Sequence, residues 1–311
     1  MTDDAFEANG FDRTQLLSDR IDTSRPNQAR VYDVFLGGRD NYPVDRAAAK
    51  AALVANPRGY LNVWHNRDFL RRAVTHLAGE VGIRQFLDIG TGLPTAENVH
   101  EIAQRIAPTS RVVYVDNDPV VLTHARALLT SGPKGATDYL DADLRDPELI
   151  LREAERTLDF NRPVALVLAA ILHFVEDEAA YDVVARLAAA LAPGSYLVMS
   201  HLTPDLNPQN EASRRVAKTY ADQGLAFVLR SRAGILRFFT DSGLELVEPG
   251  IVPAHRWRPD HRPWALGSPP PLETDLLNHL DAIEKIRYED INDVTDADIN
   301  LYGIVARKGM G

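Results

Sequence analysis

Three short segments carry residues that could do chemistry together: Asp88-Ile89-Gly90-Thr91-Gly92-Leu93-Pro94, Asp116-Asn117-Asp118 and Asp141-Ala142-Asp143-Leu144. Each follows a short apolar run with strand character. Glycines at 90 and 92 allow a sharp turn and let a ligand approach the backbone closely. The helix expected next would aim its free N–H groups at the same space. Asp116 can accept from two ribose hydroxyls, provided the 2′-position carries no phosphate. Asp143, on the next rim position, can accept from an exocyclic amine. A lone G-x-G is often only a turn, and acids after strands often cap helices. Asp118 and Asp146, each followed by proline, are assigned to caps. The joint pattern describes a pocket for an adenosine with a polar tail.

The tail can be narrowed. The dinucleotide fingerprint wants a small third residue and open backbone N–H groups for pyrophosphate. Here Thr95 holds the third place, and Pro94 has no N–H. Asp88, two residues before the first glycine, is a poor neighbour for pyrophosphate but suits a cationic amino group. These departures favour S-adenosylmethionine over NAD as cofactor. A non-catalytic S-adenosylmethionine-binding regulatory protein and an NAD-dependent oxidoreductase are the alternative readings.

Methyl transfer needs positioning, and a base only if the acceptor must lose a proton. His173, just past the fourth expected strand, is the candidate base; a histidine satisfied by nearby backbone is the plainer alternative. His201, after the fifth strand, is a weaker candidate on the same logic. Tyr32, Gly38, Arg39, Asp40, Asn41 and Tyr42 form a polar and aromatic cluster around a glycine pair. Such a loop suits a lid over the cofactor, with Asn41 as a contact, or a structural turn. His100-Glu101 begins a zinc-binding H-E-x-x-H pattern that fails at Gln104. The acidic stretch Asp290–Asp298 lacks the central glycine of a calcium loop and reads as solvated. The run His255–Arg262 is basic and aromatic, either a nucleic-acid contact or a strand end packing its tryptophan.

The elements that must position these residues follow an alternating pattern. Strands are expected at Gln85–Ile89, Arg111–Val115, Thr137–Leu140, Val164–Leu168, Tyr196–Ser200, Glu245–Val247 and Ile299–Ala306. Helices are expected between them, at Thr95–Ile106, from Pro119, from Pro147, and at Asp177–Ala192, Pro208–Ala221 and Arg232–Ser242. Val164–Leu168 is apolar throughout, as in a parallel sheet covered on both faces. The alternation predicts a doubly wound α/β sheet, whose ligands bind beyond the carboxyl ends of the strands. Ahead of the sheet, Val31–Leu36 reads as a short apolar segment ending at Gly37-Gly38, followed by helices at Val44–Val54 and Tyr60–Leu77. Residues 1–23 read as a flexible arm and 24–311 as one domain, with 24–83 a helical or lid extension. Residues 265–298 read as an insertion between the last two strands, with one helix at Thr274–Arg287 and a surface that could support an oligomer.

Composition bounds the function. The chain has 311 residues and no cysteine, which excludes disulfides, thiolate metal sites and a thiol nucleophile. A net charge of -10 argues against strong nucleic-acid binding. No apolar run reaches the roughly 20 residues of a membrane span, and the acidic start resembles neither a signal nor a transit peptide. A cytoplasmic enzyme with a small-molecule methyl acceptor is expected.

FLDIGTGLPT, VVYVDNDP and LDADLRDP together resemble a class I S-adenosylmethionine-dependent methyltransferase. With SRPNQARVYDVFLGGRDNYPVDR, NRDFLRRAV and LHFVED, the chain is similar to one actinobacterial family of such enzymes, formerly catalogued as a domain of unknown function. The resemblance covers about residues 22–264 and 299–308 and implies a seven-stranded sheet with an antiparallel last strand. It implies that Gly90 and Gly92, with Thr91 between them, underlie the methionine part, and that Asp88 orients its amino group. Asp116 would hold the ribose, with Asn117 beside the adenine. Asp143 would meet the adenine amine and the Leu144 backbone the ring, while Ala169 and Ala170 would line the sulfonium side. Pro94 departs from the general glycine motif but fits the narrower family, and the segment Thr274–Asp298 departs from both.

Overall fold

The computed structural model describes residues 21–95, 97–128, 131–132, 134–207, 211–222, 226–260, 280–286 and 290–310, without the side chains of 125–128. Its centre is a sheet of β1 (Gln85–Ile89), β2 (Arg111–Asp116), β3 (Ala136–Asp141), β4 (Ala165–Ala169), β5 (Tyr196–Leu202), β6 (Leu244–Leu246), β7 (Val252–Pro253) and β8 (Leu301–Lys308). The spatial order is β3-β2-β1-β4-β5-β8-β6, with β7 also on β8. β1 to β5 run parallel, and β8 is antiparallel to β5, β6 and β7. The strand expected at Glu245–Val247 is present as β6, and β7 is a separate short strand after a break that holds Gly250 at φ +81°. The strand order reverses between β1 and β4, so a crevice opens beyond their carboxyl ends.

The period-2 alternation of the strands feeds two cores. Phe86, Val112, Tyr114 and Val167 point to one face. That face is covered by α1 (Gln28–Phe35), α2 (Pro43–Ala55), α3 (Tyr60–His76) and α4 (Val99–Ile106). Leu87, Val113, Leu166 and Leu168 point to the other. There α6 (Pro147–Ala154), α7 (Asp177–Ala190) and α9 (Arg232–Thr240) pack. α5 (Pro119–Leu128) follows β2, α8 (Ala212–Asp222) follows β5, and the short α10 (Ala282–Lys285) lies near the end of the chain. Asp118 and Asp146 cap α5 and α6 as expected, accepting from Val120 N–H (2.7 Å) and Leu149 N–H (3.1 Å). No helix among the described residues is long and apolar enough to cross a membrane.

The differences from the sequence reading have local causes. Residues 28–35 are a helix, not merely an apolar segment: the Asn27 side chain accepts from Ala29 N–H (2.8 Å), and Val31, Val34 and Phe35 bury one face. α4 starts at Val99 rather than Thr95, because Asn98 N–H is taken by Glu101 Oε2 at 2.7 Å. The acidic loop does not stand free in solvent: Asp296 pairs with His255 (3.0 Å) and Arg256 (2.7 Å), and Asp298 with Arg58 (3.0 Å). The described arginines of the basic run, Arg256 and Arg258, are thus paired with acids of the same chain at its surface. Its Trp257 is fully buried, edge-on to Phe69. Most of the expected insertion, including its expected helix up to residue 279, lies outside the described residues.

Candidate functional site

β1 ends inside the molecule at Asp88 and Ile89, and the chain turns at once through Gly90 and Gly92. Gly90 holds φ +74°, and a Cβ there would lie 2.6 Å from the Ile171 side chain. Only glycine meets both demands. Its N–H donates to Val115 O (2.8 Å), which ties the turn to the end of β2. There Asp116 accepts from Gly92 N–H and from Asp118 N–H, both at 2.9 Å. These bonds fix the carboxylate while its remaining lone pairs stay available. From β3, Asp143 accepts from Asn117 Nδ2 (3.1 Å) and pairs with Arg145 (3.1 Å).

A cavity opens over these ends. Asp88, Gly90, Thr91, Gly92, Asp116, Asn117, Asp143, Leu144, Ala169 and Ala170 all line it. Burial pushes the Asp88 carboxyl up to about 7, against the pull of the Arg67 guanidinium. Burial likewise raises Asp116 to about 6, opposed by its backbone hydrogen bonds. Both acids stand ready for partners that compensate their charge: a cation at Asp88 and hydroxyl donors at Asp116. The more exposed Asp143 supplies an acceptor at the far end. This donor and acceptor set fits S-adenosylmethionine from its amino group to its adenine.

Asn41 is not brought to this cavity. Its Nδ2 donates to Asp33 Oδ2 (2.9 Å) and to Gly38 O (3.2 Å), and its Oδ1 accepts from Arg46 (2.9 Å). Asp33 also accepts from Asp40 N–H (3.0 Å), so the glycine loop folds back onto α1. Gly38 is required there, since a Cβ would collide with the Asp33 carboxylate. The part of the N-terminal segment that reaches the cavity is instead Asn27, Gln28, Ala29 and Tyr32. Among the described residues, none between Gly92 and the end of α4 lines the cavity.

Sequence reasoning missed the wall supplied by α3. Asn66 and Arg67 face the cavity from that helix. Asn66 joins a chain of hydrogen bonds: Ala170 N–H donates to Ser200 Oγ (2.8 Å), Ser200 to Asn66 Oδ1 (2.5 Å), Asn66 Nδ2 to the Tyr32 hydroxyl (2.8 Å), and Tyr32 to Val63 O (3.1 Å). Ala170, at φ +55°, is held by this chain in a conformation that costs a non-glycine residue about 1–2 kcal/mol. The signal available in the sequence was the string NRDFLRRAV, whose polar residues lie on a helix with strong core periodicity.

His173 sits beside a second cavity, not in the first. It is 3% exposed, and its Nδ1 has no hydrogen-bond partner. Burial, with His201 and Arg230 adding to it, holds its pKa well below the ordinary histidine range. His201 is fully buried and engaged, with Nδ1 2.7 Å from Leu202 O and Nε2 2.8 Å from Arg230 Nη1. Arg230 also donates to Leu172 O and Val175 O, both at 2.8 Å. His201 therefore serves the packing of the loop after β4, while His173 lines the second cavity and no protein group hydrogen-bonds its buried Nδ1.

The chain matches the family model described as S-adenosyl methyltransferase over residues 14–309. No curated protein matches it. Among solved structures it is similar to a DUF574 family protein from Streptomyces avermitilis, with 47% identity, a TM-score of 0.80, and coverage of 93% of this chain and 100% of that one. It is also similar to a putative methyltransferase from Thermobifida fusca, with 40% identity, a TM-score of 0.76, and coverage of 93% and 97%. The glycine turn, the acids that follow the first three strands and these matches agree, and the chain belongs to the S-adenosyl methyltransferase family.

Proposed function

We propose that the chain is a working enzyme that transfers a methyl group from S-adenosylmethionine to a small-molecule acceptor. The observation that carries this reading is the pair of buried acids, Asp88 and Asp116, set on either side of the Gly90–Gly92 turn in one cavity. When bound there, S-adenosylmethionine supplies a methyl group on a positively charged sulfur, open to attack by an acceptor lone pair. The chain's own residues do the rest by positioning. Asp88 holds the ligand's amino group, Asp116 the ribose hydroxyls, and Asp143 with the Leu144 backbone the adenine. Ala169 and Ala170 form the wall nearest the methyl group. Asn27, Gln28 and Tyr32 line the cavity from the start of α1.

Thermal unfolding with S-adenosylmethionine, S-adenosylhomocysteine and NAD tests the reading. A ligand at about 100 times its dissociation constant adds about 2.7 kcal/mol. Stabilisation by both S-adenosyl ligands and not by NAD is expected. Stabilisation by NAD alone would replace the reading with an oxidoreductase.

A further inference from the structure

A second cavity borders the first and shares Gln28, Tyr32, Asn66, Ala170 and Phe174 with it. Its character is opposite. The first cavity is lined by Asp88, Asp116, Asp143, Arg67 and Arg145, whereas no Asp, Glu, Lys or Arg lines the second among the described residues. Burying an unpaired ion there would carry a heavy desolvation cost. Three aromatic rings form one end: Tyr220 and Phe227 lie 4.7 Å apart, Phe227 and Phe174 5.7 Å, and Phe174 and Tyr220 6.4 Å. The His173 imidazole lies 5.2 Å from Phe227 and 4.3 Å from Phe174. Leu53, Val216 and Leu301 supply aliphatic surface opposite α1 and α3.

Three of the polar side chains in this wall are spent within the protein. Asn62 Nδ2 donates to Gly59 O and its Oδ1 accepts from Asn300 N–H; Asn66 and Tyr32 belong to the chain that ends at Val63. His173 differs, with a buried ring nitrogen that no protein group meets. An unpaired polar group costs free energy that a ligand hydrogen bond would recover.

We propose that this second cavity is the acceptor site, and that its occupant is an uncharged aromatic molecule carrying a hydroxyl or N–H group that hydrogen-bonds to His173. The assignment rests on the methyltransferase reading for the name acceptor, but not for the binding itself. The neutral cavity rejects carboxylates and amines. The ring cluster selects flat aromatic bodies. The junction at Ala170 and Asn66 brings such a body up to the cofactor cavity. His173, neutral at physiological pH, presents a hydrogen-bond acceptor rather than a strong base.

The test is calorimetric binding of 2-naphthol, 2-naphthoate and naphthalene to the full chain, with and without saturating S-adenosylhomocysteine. The expected order is 2-naphthol over naphthalene by about tenfold, one hydrogen bond to a buried group, with 2-naphthoate weaker still. Val216→Glu, which sets a carboxylate in the wall, should abolish 2-naphthol binding and leave S-adenosylhomocysteine binding unchanged. His173→Phe should remove the preference for 2-naphthol over naphthalene. Binding of 2-naphthoate as tight as that of 2-naphthol, or 2-naphthol binding untouched by Val216→Glu, would overturn the proposal. So would the absence of any aromatic binding in a protein that still binds S-adenosylhomocysteine. A protein that binds 2-naphthol but neither S-adenosyl ligand would instead refute the methyltransferase reading and leave the aromatic site standing.

Discussion

Asp88 stabilises a ligand at the expense of the fold. Its carboxyl titrates near 7 in the native protein against an ordinary 3.8, because it is buried and Arg67 compensates it only in part. A native value above the unfolded one means that folding favours the protonated form. The contribution is fully present below pH 3.8 and is lost as pH rises through 7. A shift of about three units is worth about 4 kcal/mol above pH 7 and about 2 kcal/mol at pH 5, at about 1.36 kcal/mol per unit. Asp88→Asn keeps an acceptor oxygen and removes the ionisation. The variant without ligand is therefore expected to be more stable than the parent, by about 4 kcal/mol at pH 8 and about 2 kcal/mol at pH 5. With an unfolding entropy of about 0.65 kcal/mol/K for a chain of this length, the melting temperature rises by about 6 °C at pH 8 and about 3 °C at pH 5. The same variant loses the charge-assisted bond to the ligand's amino group, about 1.5–3 kcal/mol or roughly 10- to 150-fold in S-adenosylhomocysteine affinity. Scanning calorimetry at the two pH values, with titration calorimetry at pH 8, measures both effects. A variant less stable than the parent at pH 8, or one with unchanged affinity, refutes the placement of a strained carboxylate against a cationic ligand group.

Asp116→Ala removes the acceptor for the ribose hydroxyls and the cap on Gly92 N–H, so stabilisation by S-adenosylhomocysteine in a thermal shift assay should vanish. Asn41→Ala should leave S-adenosylhomocysteine affinity within about twofold, yet lose about 1 kcal/mol of stability in urea through its bond to Asp33. Gly303→Ala sets a Cβ 2.7 Å from the Phe69 ring and should cost about 1–3 kcal/mol by the same measurement. Deletion of residues 1–42 removes α1 with its core residues Val31, Val34 and Phe35, so it should lower stability before it reports on any lid. Gln28→Ala, from the cavity-lining face of α1, is the cleaner probe and should weaken S-adenosylhomocysteine binding without unfolding the chain.

The half of the site built from strand ends was legible because each part is local. An apolar run, a glycine pair and an acid lie within ten residues of one another at β1, and the pattern recurs in simpler form at β2 and β3. The doubly wound sheet, with helices on both faces, followed from the alternation of strands and helices. The other half is not local. Asn66 and Tyr32 matter because Ser200 and Ala170 lie beside them, and nothing in a helical repeat separates a buried asparagine from an exposed one. The aromatic cavity gathers Phe35, Leu53, His173, Tyr220 and Leu301 from across the chain. Asn41 misled because a loop rich in polar residues and glycine looks the same whether it meets a ligand or satisfies its own Asp33.

The position of β8 bears on how the molecule is assembled. It follows every other strand in sequence, yet it lies in the interior of the sheet, between β5 and β6. Until residues 301–308 arrive, β5 is an open edge with seven apolar or hydrogen-bonding positions awaiting a partner, and β6 and β7 have no neighbour to join. A nascent chain can complete the parallel half, with its glycine turn and acids, while the wall that includes Leu301 is still missing. Such an edge invites pairing with another chain. Chains released short of residue 301 should therefore collect as aggregates that keep protected β1 and β2 amides, a pattern that hydrogen exchange on stalled or truncated products can read.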